Sequence, residues 1–198
     1  MRRGQGKLIV IEGIDQSGKK TQTQLLARKV RTMGFACSIW SFPDYTTSLG
    51  RQLRNYLTGR RRFDFRTAHL LYAANKWERV SSITREIDRG RVLIVNRYAP
   101  SNVAYGVAHG LPLNWLQSLE TGLPEPDLVI LLDVSPKASF KRKIRFRDVH
   151  EENLVYLNRV RRVYLCLAKR YRWAVIDGEQ DPRTVHLKVW RQVLPTLP

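Results

Sequence analysis

The stretch LIVIEGIDQSGKKTQTQ, residues 8–24, decides the fold. It is an apolar strand, a glycine turn, two lysines and the start of a helix. Within it, Gly13-Ile14-Asp15-Gln16-Ser17-Gly18-Lys19 satisfies G-x-x-x-x-G-K. Glycines let a backbone wrap round an anion, so that successive N–H groups point inward at phosphate oxygens. The following helix adds its positive N-terminal end, and Lys19 reaches the β- and γ-phosphates as a point charge. A glycine turn could by itself be only a tight corner. A strand before it and a helix after it are the context of a phosphate loop. The phosphate-binding residues read this way are Gly13, Ile14, Asp15, Gln16, Ser17, Gly18, Lys19, Lys20 and Thr21. Lys20 stands where the motif expects a Ser or Thr hydroxyl for Mg²⁺.

Outward from this loop, strand and helix patterns alternate. After the run Leu8–Ile11, Thr21–Thr32 reads as a helix with Leu25, Leu26, Ala27 and Val30 on its buried side. Gly34 ends it, Phe35–Phe42 is a second strand and Pro43-Asp44 turns the chain. Leu49–Leu57 is a short helix, and the basic run Gly59-Arg60-Arg61-Arg62 a solvated loop. Arg66–Asp88 reads as one long helical region closed by Gly90. Val92–Val95 is a strand leading into Asn96-Arg97-Tyr98. Leu113–Glu120 is helical, Gly122-Leu123-Pro124-Glu125-Pro126 is a breaker, and Leu128–Leu132 is a strand that reaches Asp133. Ala138–Phe146 and Leu154–Arg172 are basic helices flanking a polar stretch. Trp173–Ile176 is the last strand, before Asp177-Gly178, and Val185–Val193 the closing helix.

Five short apolar strands separated by helices predict an α/β fold, a five-stranded parallel sheet with helices on both faces. Right-handed crossovers bring the carboxyl ends of the strands to one edge, where ligands bind. Asp15, Asn96, Arg97, Asp133 and Asp177 all fall just after strands. No repeat, low-complexity tract or linker composition divides residues 1–198, so one domain is expected.

At 198 residues, 43 % hydrophobic and 26 % charged, the chain has the composition of a soluble globular protein. No apolar run approaches the ~20 residues that span a bilayer, and the short one after Arg2-Arg3 is a buried strand rather than a signal peptide. Cys37 and Cys166 are far apart without metal-ligand spacing and sit among apolar neighbours. Buried free thiols and a cytoplasmic location are expected. The net charge of +18 attracts polyanions, though much of it can reflect the chain's general arginine usage.

A phosphate loop fits GTPases, motor ATPases and small-molecule kinases alike. Asn75-Lys76-Trp77-Glu78 nearly matches the guanine-reading N-K-x-D, but it lies inside a helical pattern, and no polymer-binding module remains for a motor. The motifs in order are Glu12-Gly13-Ile14-Asp15, Phe42-Pro43, the helix His69-Leu70-Leu71-Tyr72-Ala73-Ala74-Asn75-Lys76-Trp77-Glu78, Arg97-Tyr98 with Ser101-Asn102-Val103-Ala104-Tyr105-Gly106, and Gly122-Leu123-Pro124-Glu125-Pro126-Asp127-Leu128. Together they resemble the thymidylate kinase family over nearly the whole chain, and the N-R-Y form is similar to its archaeal branch. The resemblance implies a P-loop NTPase of the nucleoside-monophosphate kinase type with a short lid at about 141–152. It also implies transfer of the γ-phosphate of ATP to dTMP, Mg²⁺ carried with ATP, and a homodimer, with no membrane or nucleic-acid partner.

The residues allow this chemistry. His69, Tyr72 and Lys76 share one helical face. Tyr72 can stack on a base, or be an ordinary core aromatic, and Lys76 can donate to a base carbonyl where the family has Arg. The resemblance places Asp15 near the acceptor's sugar hydroxyl, although the same carboxylate could simply brace its own loop. By the same resemblance Arg97 holds the acceptor phosphate, Tyr105 lies beside the deoxyribose, and Phe42, Ser101 and Asn102 line the base site. Tyr45 replaces an Arg found in some members, leaving phosphate binding to Arg97 and Arg51. Phosphoryl transfer needs alignment and neutralised charge. Gln16 replaces a loop arginine of some members, so the catalytic set is Lys19, Arg97 and, from the lid, Arg142, Arg145 or Arg147. Mg²⁺ has no direct protein ligand in this reading, and its waters are held by Asn96, Glu12 or Asp133. The competing readings are a kinase for another nucleoside or nucleoside monophosphate, and a non-catalytic nucleic-acid-binding relative.

Overall fold

Leu8, Ile9, Val10 and Ile11 are all wholly buried because β1 (Lys7–Glu12) lies at the centre of a sheet with helices on both faces. The computed structural model describes residues 6–142 and 154–198. Its five strands are β1, β2 (Cys37–Ser41), β3 (Val92–Asn96), β4 (Leu128–Asp133) and β5 (Ala174–Asp177), all parallel in the order β2-β3-β1-β4-β5. Period-two alternation sends β1 side chains to opposite faces. Ile9 and Ile11 pack beneath Leu26, Ala27 and Val30 of α1 (Lys19–Thr32) and Val185, Val189 and Val193 of α9 (Pro182–Val193). Leu8 and Val10 face the other way, toward Ile83, Phe42 and Tyr98.

The second face carries α3 (Phe65–Trp77), α4 (Val80–Asp88), α5 (Ala99–Ala108), α6 (Leu113–Glu120) and α8 (Leu154–Tyr171); α2 (Ser48–Leu57) packs on α3, and α7 (Pro136–Arg142) on α8. Leu113–Glu120 is helical as read from sequence, and the helices before it correct the reading. Arg66–Asp88 is two helices, broken at Glu78-Arg79. Arg79 Nε donates to Asp44 Oδ2 at 2.6 Å and its Nη2 to Thr46 Oγ1 at 2.8 Å, so a long-range anchor overrides the local periodicity. Helix α5 is not marked by the sequence pattern. Pro100 sits in its first turn, where a missing N–H costs nothing, and Gly106 presses on Leu116, leaving little helical signal in the sequence. Cys37 is buried, but Cys166 is exposed, because α8 turns its neighbours Tyr164, Leu167 and Ala168 inward instead. Among the described residues no helix is long and apolar enough to cross a membrane.

Helix α2 begins where the chain leaves β2 through Pro43-Asp44, and Gly50 makes that corner possible. A Cβ there would fall 1.8 Å from the Asp44 carbonyl oxygen, and Thr47 Oγ1 caps the helix by accepting from Gly50 N at 3.0 Å. Gly50→Ala therefore lowers the unfolding free energy by about 1–3 kcal/mol or more despite alanine's better helix propensity. Denaturant titration measures this, and a neutral or stabilising result would contradict the close approach.

Candidate functional site

The phosphate loop follows β1 with Gly13 at φ 143° and Gly18 at φ 92°, and a Cβ at Gly13 would lie 2.6 Å from both Leu132 O and Ser17 Oγ. Gln16 also holds positive φ, at 58°, although it is not glycine. Lys19 opens α1 and is buried. Its Nζ donates to the carbonyls of Gly13 (2.9 Å) and Ile14 (2.6 Å). Lys20 and Thr21 are exposed on the first turn. The loop is braced from α7, where Ser139 Oγ donates to Asp15 O at 2.7 Å.

Asp15 joins this loop to β3. Its Oδ1 is ion-paired with Arg97 Nη2, and Tyr105 OH donates to its Oδ2 at 2.7 Å. Burial opposes ionisation of Asp15, but the charges of Arg97 and Lys19 outweigh it and hold the carboxyl well below the usual carboxylate range. Arg97 itself has φ 65°, an uncommon backbone for a non-glycine residue that turns its guanidinium back over the strand end, toward Ser101 Oγ (3.2 Å) and Tyr105 OH (3.2 Å).

Asp15 and Arg97 line a cavity together with Phe42, Tyr45, Tyr72, Lys76, Ser101, Asn102 and Tyr105. Every acceptor-side residue named from sequence lines this cavity except Arg51. Arg51 is exposed and donates to Thr46 O at 3.0 Å, because α2 carries it outward. Three further residues that line the cavity also have partners within the protein. Ser101 Oγ donates to Glu12 Oε2 at 2.6 Å. Asn102 is 3 % exposed, with Oδ1 2.6 Å from His69 Nδ1 and Nδ2 donating to Glu120 Oε1 at 2.6 Å. Lys76 Nζ lies 3.1 Å from Glu120 Oε1 and donates to Tyr72 O at 2.8 Å. Asn102 thus lines the cavity while its amide braces Glu120 and His69.

The metal-water candidates separate in the same way. Glu12 is fully buried and accepts from Tyr98 N (2.8 Å), Ser101 Oγ and Tyr164 OH (2.9 Å); burial pushes its pKa up despite these donors. Asp133 is held by Arg161 through two bonds, of 2.6 and 2.8 Å. Glu12 is enclosed by its donors, whereas Asp133 stays partly exposed with both oxygens on Arg161. Asn96 remains: its Oδ1 is buried and has no hydrogen-bond partner among the described residues. No group of three or more His, Cys, Asp or Glu there could hold a metal. Of the lid arginines, Arg142 donates to Gln16 O (3.1 Å) and Gly178 O (2.8 Å), at the rim of the phosphate loop. Arg145 and Arg147, with most of the 141–152 segment, lie outside the described residues.

Sequence reading missed Glu120, Ser139, Arg161 and Tyr164, whose partners are 18 to 152 positions away. His69 was within reach, since it shares the helical face of Tyr72 and Lys76.

The family model described as Thymidylate kinase matches residues 11–189. Thymidylate kinase of Arabidopsis thaliana is 36 % identical over 96 % of this chain and 71 % of its own length. That of Schizosaccharomyces pombe is 34 % identical over 95 % and 91 %, and that of Homo sapiens 33 % over 94 % and 89 %. Among solved structures, thymidylate kinase from Candida albicans superposes with a TM-score of 0.87 at 28 % identity, covering 97 % of this chain and 92 % of that one.

Lys76 and Glu120 form an ion pair whose side chains are 3 % and 7 % exposed. Removing one partner of such a pair strands a buried charge, at a cost of about 3–5 kcal/mol. Glu120→Ala is expected to destabilise by that amount in denaturant unfolding, and Glu120→Ala with Lys76→Met to recover most of it. Additive losses would show that the two side chains do not act as a pair.

Proposed function

Since the chain belongs to the thymidylate kinase family, its reaction is the phosphorylation of dTMP by ATP, and we propose how its own residues divide that work. The observation that carries the division is the Asp15–Arg97 ion pair, which ties the phosphate loop to the cavity and puts one guanidinium between them. The loop from Gly13 to Thr21 takes the ATP phosphates, and Lys19 exchanges its carbonyl partners for the β- and γ-oxygens. The cavity takes dTMP. Tyr72 stacks on the base beside Phe42, and Lys76, fixed by Glu120, presents its remaining N–H to a base carbonyl. Tyr105 and Asp15 face the sugar. Arg97 binds the acceptor phosphate, and with Ser101 engaged elsewhere and Arg51 outside the cavity it does so largely alone.

In-line transfer then requires that the two phosphates be aligned and that charge growing on the equatorial oxygens be offset. Lys19 and Arg97 supply this from two sides. Arg142, anchored on Gln16 O, stands at the loop rim as the described lid arginine, with Arg145 and Arg147 further along the same segment. Mg²⁺ bound together with ATP would offset charge on the phosphate oxygens. Asn96 Oδ1, buried and without a partner among the described residues, would fit a hydrogen bond from one of the ion's waters, and Lys20 adds fixed positive charge in place of the usual hydroxyl. We place the enzyme in the cytoplasm as a homodimer. The dimer is supported by Leu70 and Trp77 of α3, both more than 40 % exposed and sharing a face about 100° round the helix from His69 and Lys76.

An ADP-release assay across dTMP, dUMP, UMP, CMP and AMP tests the acceptor. dTMP is expected to lead, with dUMP weaker by about 1–3 kcal/mol for its missing methyl group. Tyr105→Ala should narrow the preference for dTMP over its ribo analogue. CMP or AMP ahead of dTMP would overturn the assignment.

Arg97→Ala and Arg142→Ala are expected to lower kcat by about 10²–10³-fold, with KM for ATP little changed, as for donors that act on developing charge. Near-parental kcat in Arg142→Ala would move the role to Arg145 or Arg147, and turnover in excess EDTA would remove the metal from the reaction. Sedimentation equilibrium should give twice the chain mass, and Leu70→Glu with Trp77→Glu a monomer. A wild-type monomer would end the dimer proposal.

A further inference from the structure

A second cavity, of about 1030 Å³, is lined by none of the residues placed in the reaction. Its walls are the loop between α2 and α3, the C-terminal end of α5 and the N-terminal half of α8. Four arginines line it: Arg61 and Arg62 on the loop wall, Arg159 and Arg162 on one face of α8. Arg62, Arg159 and Arg162 are exposed, and none of the described lining residues is acidic. The carboxylate of Asp64, on the same loop, is occupied in capping α3 through Thr67 N at 3.0 Å.

The same cavity contains the end of an aromatic stack. Tyr156 lies against His109 at 4.4 Å and 18°, and His109 lies against Phe65 at 3.9 Å and 9°. Phe65 ends the stack among the described residues and is itself 48 % exposed. A flat apolar platform beside a cationic cluster is the pairing that nucleotides fit: a base has a π-face for the ring, and phosphates take guanidinium forks.

We propose that this groove binds a second nucleotide, a nucleoside triphosphate, with its base on Phe65 and its phosphates between Arg61, Arg62, Arg159 and Arg162. A bare phosphate would leave the platform unused. A polynucleotide would need a track of further rings and cations, whereas these arginines line one open groove of a volume close to that of a single small-ligand site. The groove also touches the acceptor cavity, since His109 Nδ1 lies 3.2 Å from His69 Nε2 and His69 lines that cavity. Occupancy of the groove thus has a direct contact through which to reach the first site.

The test is equilibrium dialysis of labelled GTP against the full chain, with its reaction sites filled by saturating ADP, Mg²⁺ and dTMP. One GTP per chain is expected, not displaced by more ADP. Arg159→Glu with Arg162→Glu should weaken it roughly tenfold or more while dTMP turnover stays at the parental rate. If that charge reversal does not fold, Arg62→Gln with Arg159→Gln reads the same loss. Phe65→Ala should weaken GTP roughly tenfold and leave inorganic triphosphate unaffected. The proposal is overturned if no GTP binds beyond the ADP-sensitive site, or if triphosphate binds as well as GTP. Parental affinity in the arginine variants, or binding of a single-stranded oligonucleotide without binding of GTP, would also overturn it.

Discussion

A single buried carboxylate fixes the geometry of the strand edge. Glu12 is the last residue of β1, and it accepts hydrogen bonds from the turn after β3, from α5 and from α8. Three segments far apart in sequence are thereby referred to one strand end. An unsatisfied carboxylate at this depth would be costly, so the arrangement is all or nothing: each donor is needed, and each holds its own element in place. Tyr98 N pins the backbone next to Arg97, and that fixed backbone is what sustains the left-handed conformation of Arg97 and aims its guanidinium at Asp15.

The layers of the fold were legible because they follow from local signals. Alternating strands and helices, a glycine turn with a lysine, and β-branched runs fix a parallel sheet without any long-range information. What was illegible depended on distant partners. The break between α3 and α4 is made by Arg79 reaching Asp44, and nothing in the 66–88 periodicity encodes it. Among the site residues, side-chain type and strand-end position marked Asp15 and Arg97, which do line one cavity. Type alone could not say that the oxygens of Glu12 and Asp133 were already taken, or that Asn102 faces Glu120. A carboxylate at a strand end looks the same in sequence whether it faces solvent or an arginine.

The large positive charge has a structural outlet beyond ligand attraction. With 35 Lys and Arg against 17 Asp and Glu, most cations can find no carboxylate. Several arginines turn to other acceptors instead. Arg31 donates to Cys37 O at 3.0 Å, and Arg142 to two loop carbonyls. Others lie over rings: Arg54 over Tyr45, Arg61 over Phe63 and Arg66 over Trp115. A guanidinium suits both roles, being planar, weakly hydrated and rich in donors. The arginine excess is thus partly a way of tying helix ends and loops together without acids.

In the phosphate loop, Lys19 rests on the carbonyls of Gly13 and Ile14, so the loop is its own placeholder. An anion that enters does not add hydrogen bonds to an empty cradle; it trades with those already there, and the number of bonds at the amine hardly changes. Net hydrogen-bond gains of this kind are small. What does change is the charge opposite the ammonium, from neutral carbonyl dipoles to a full anion. Preference among oxyanions of similar shape therefore follows their charge density, and occupancy of the loop is tuned by ionic strength as much as by fit.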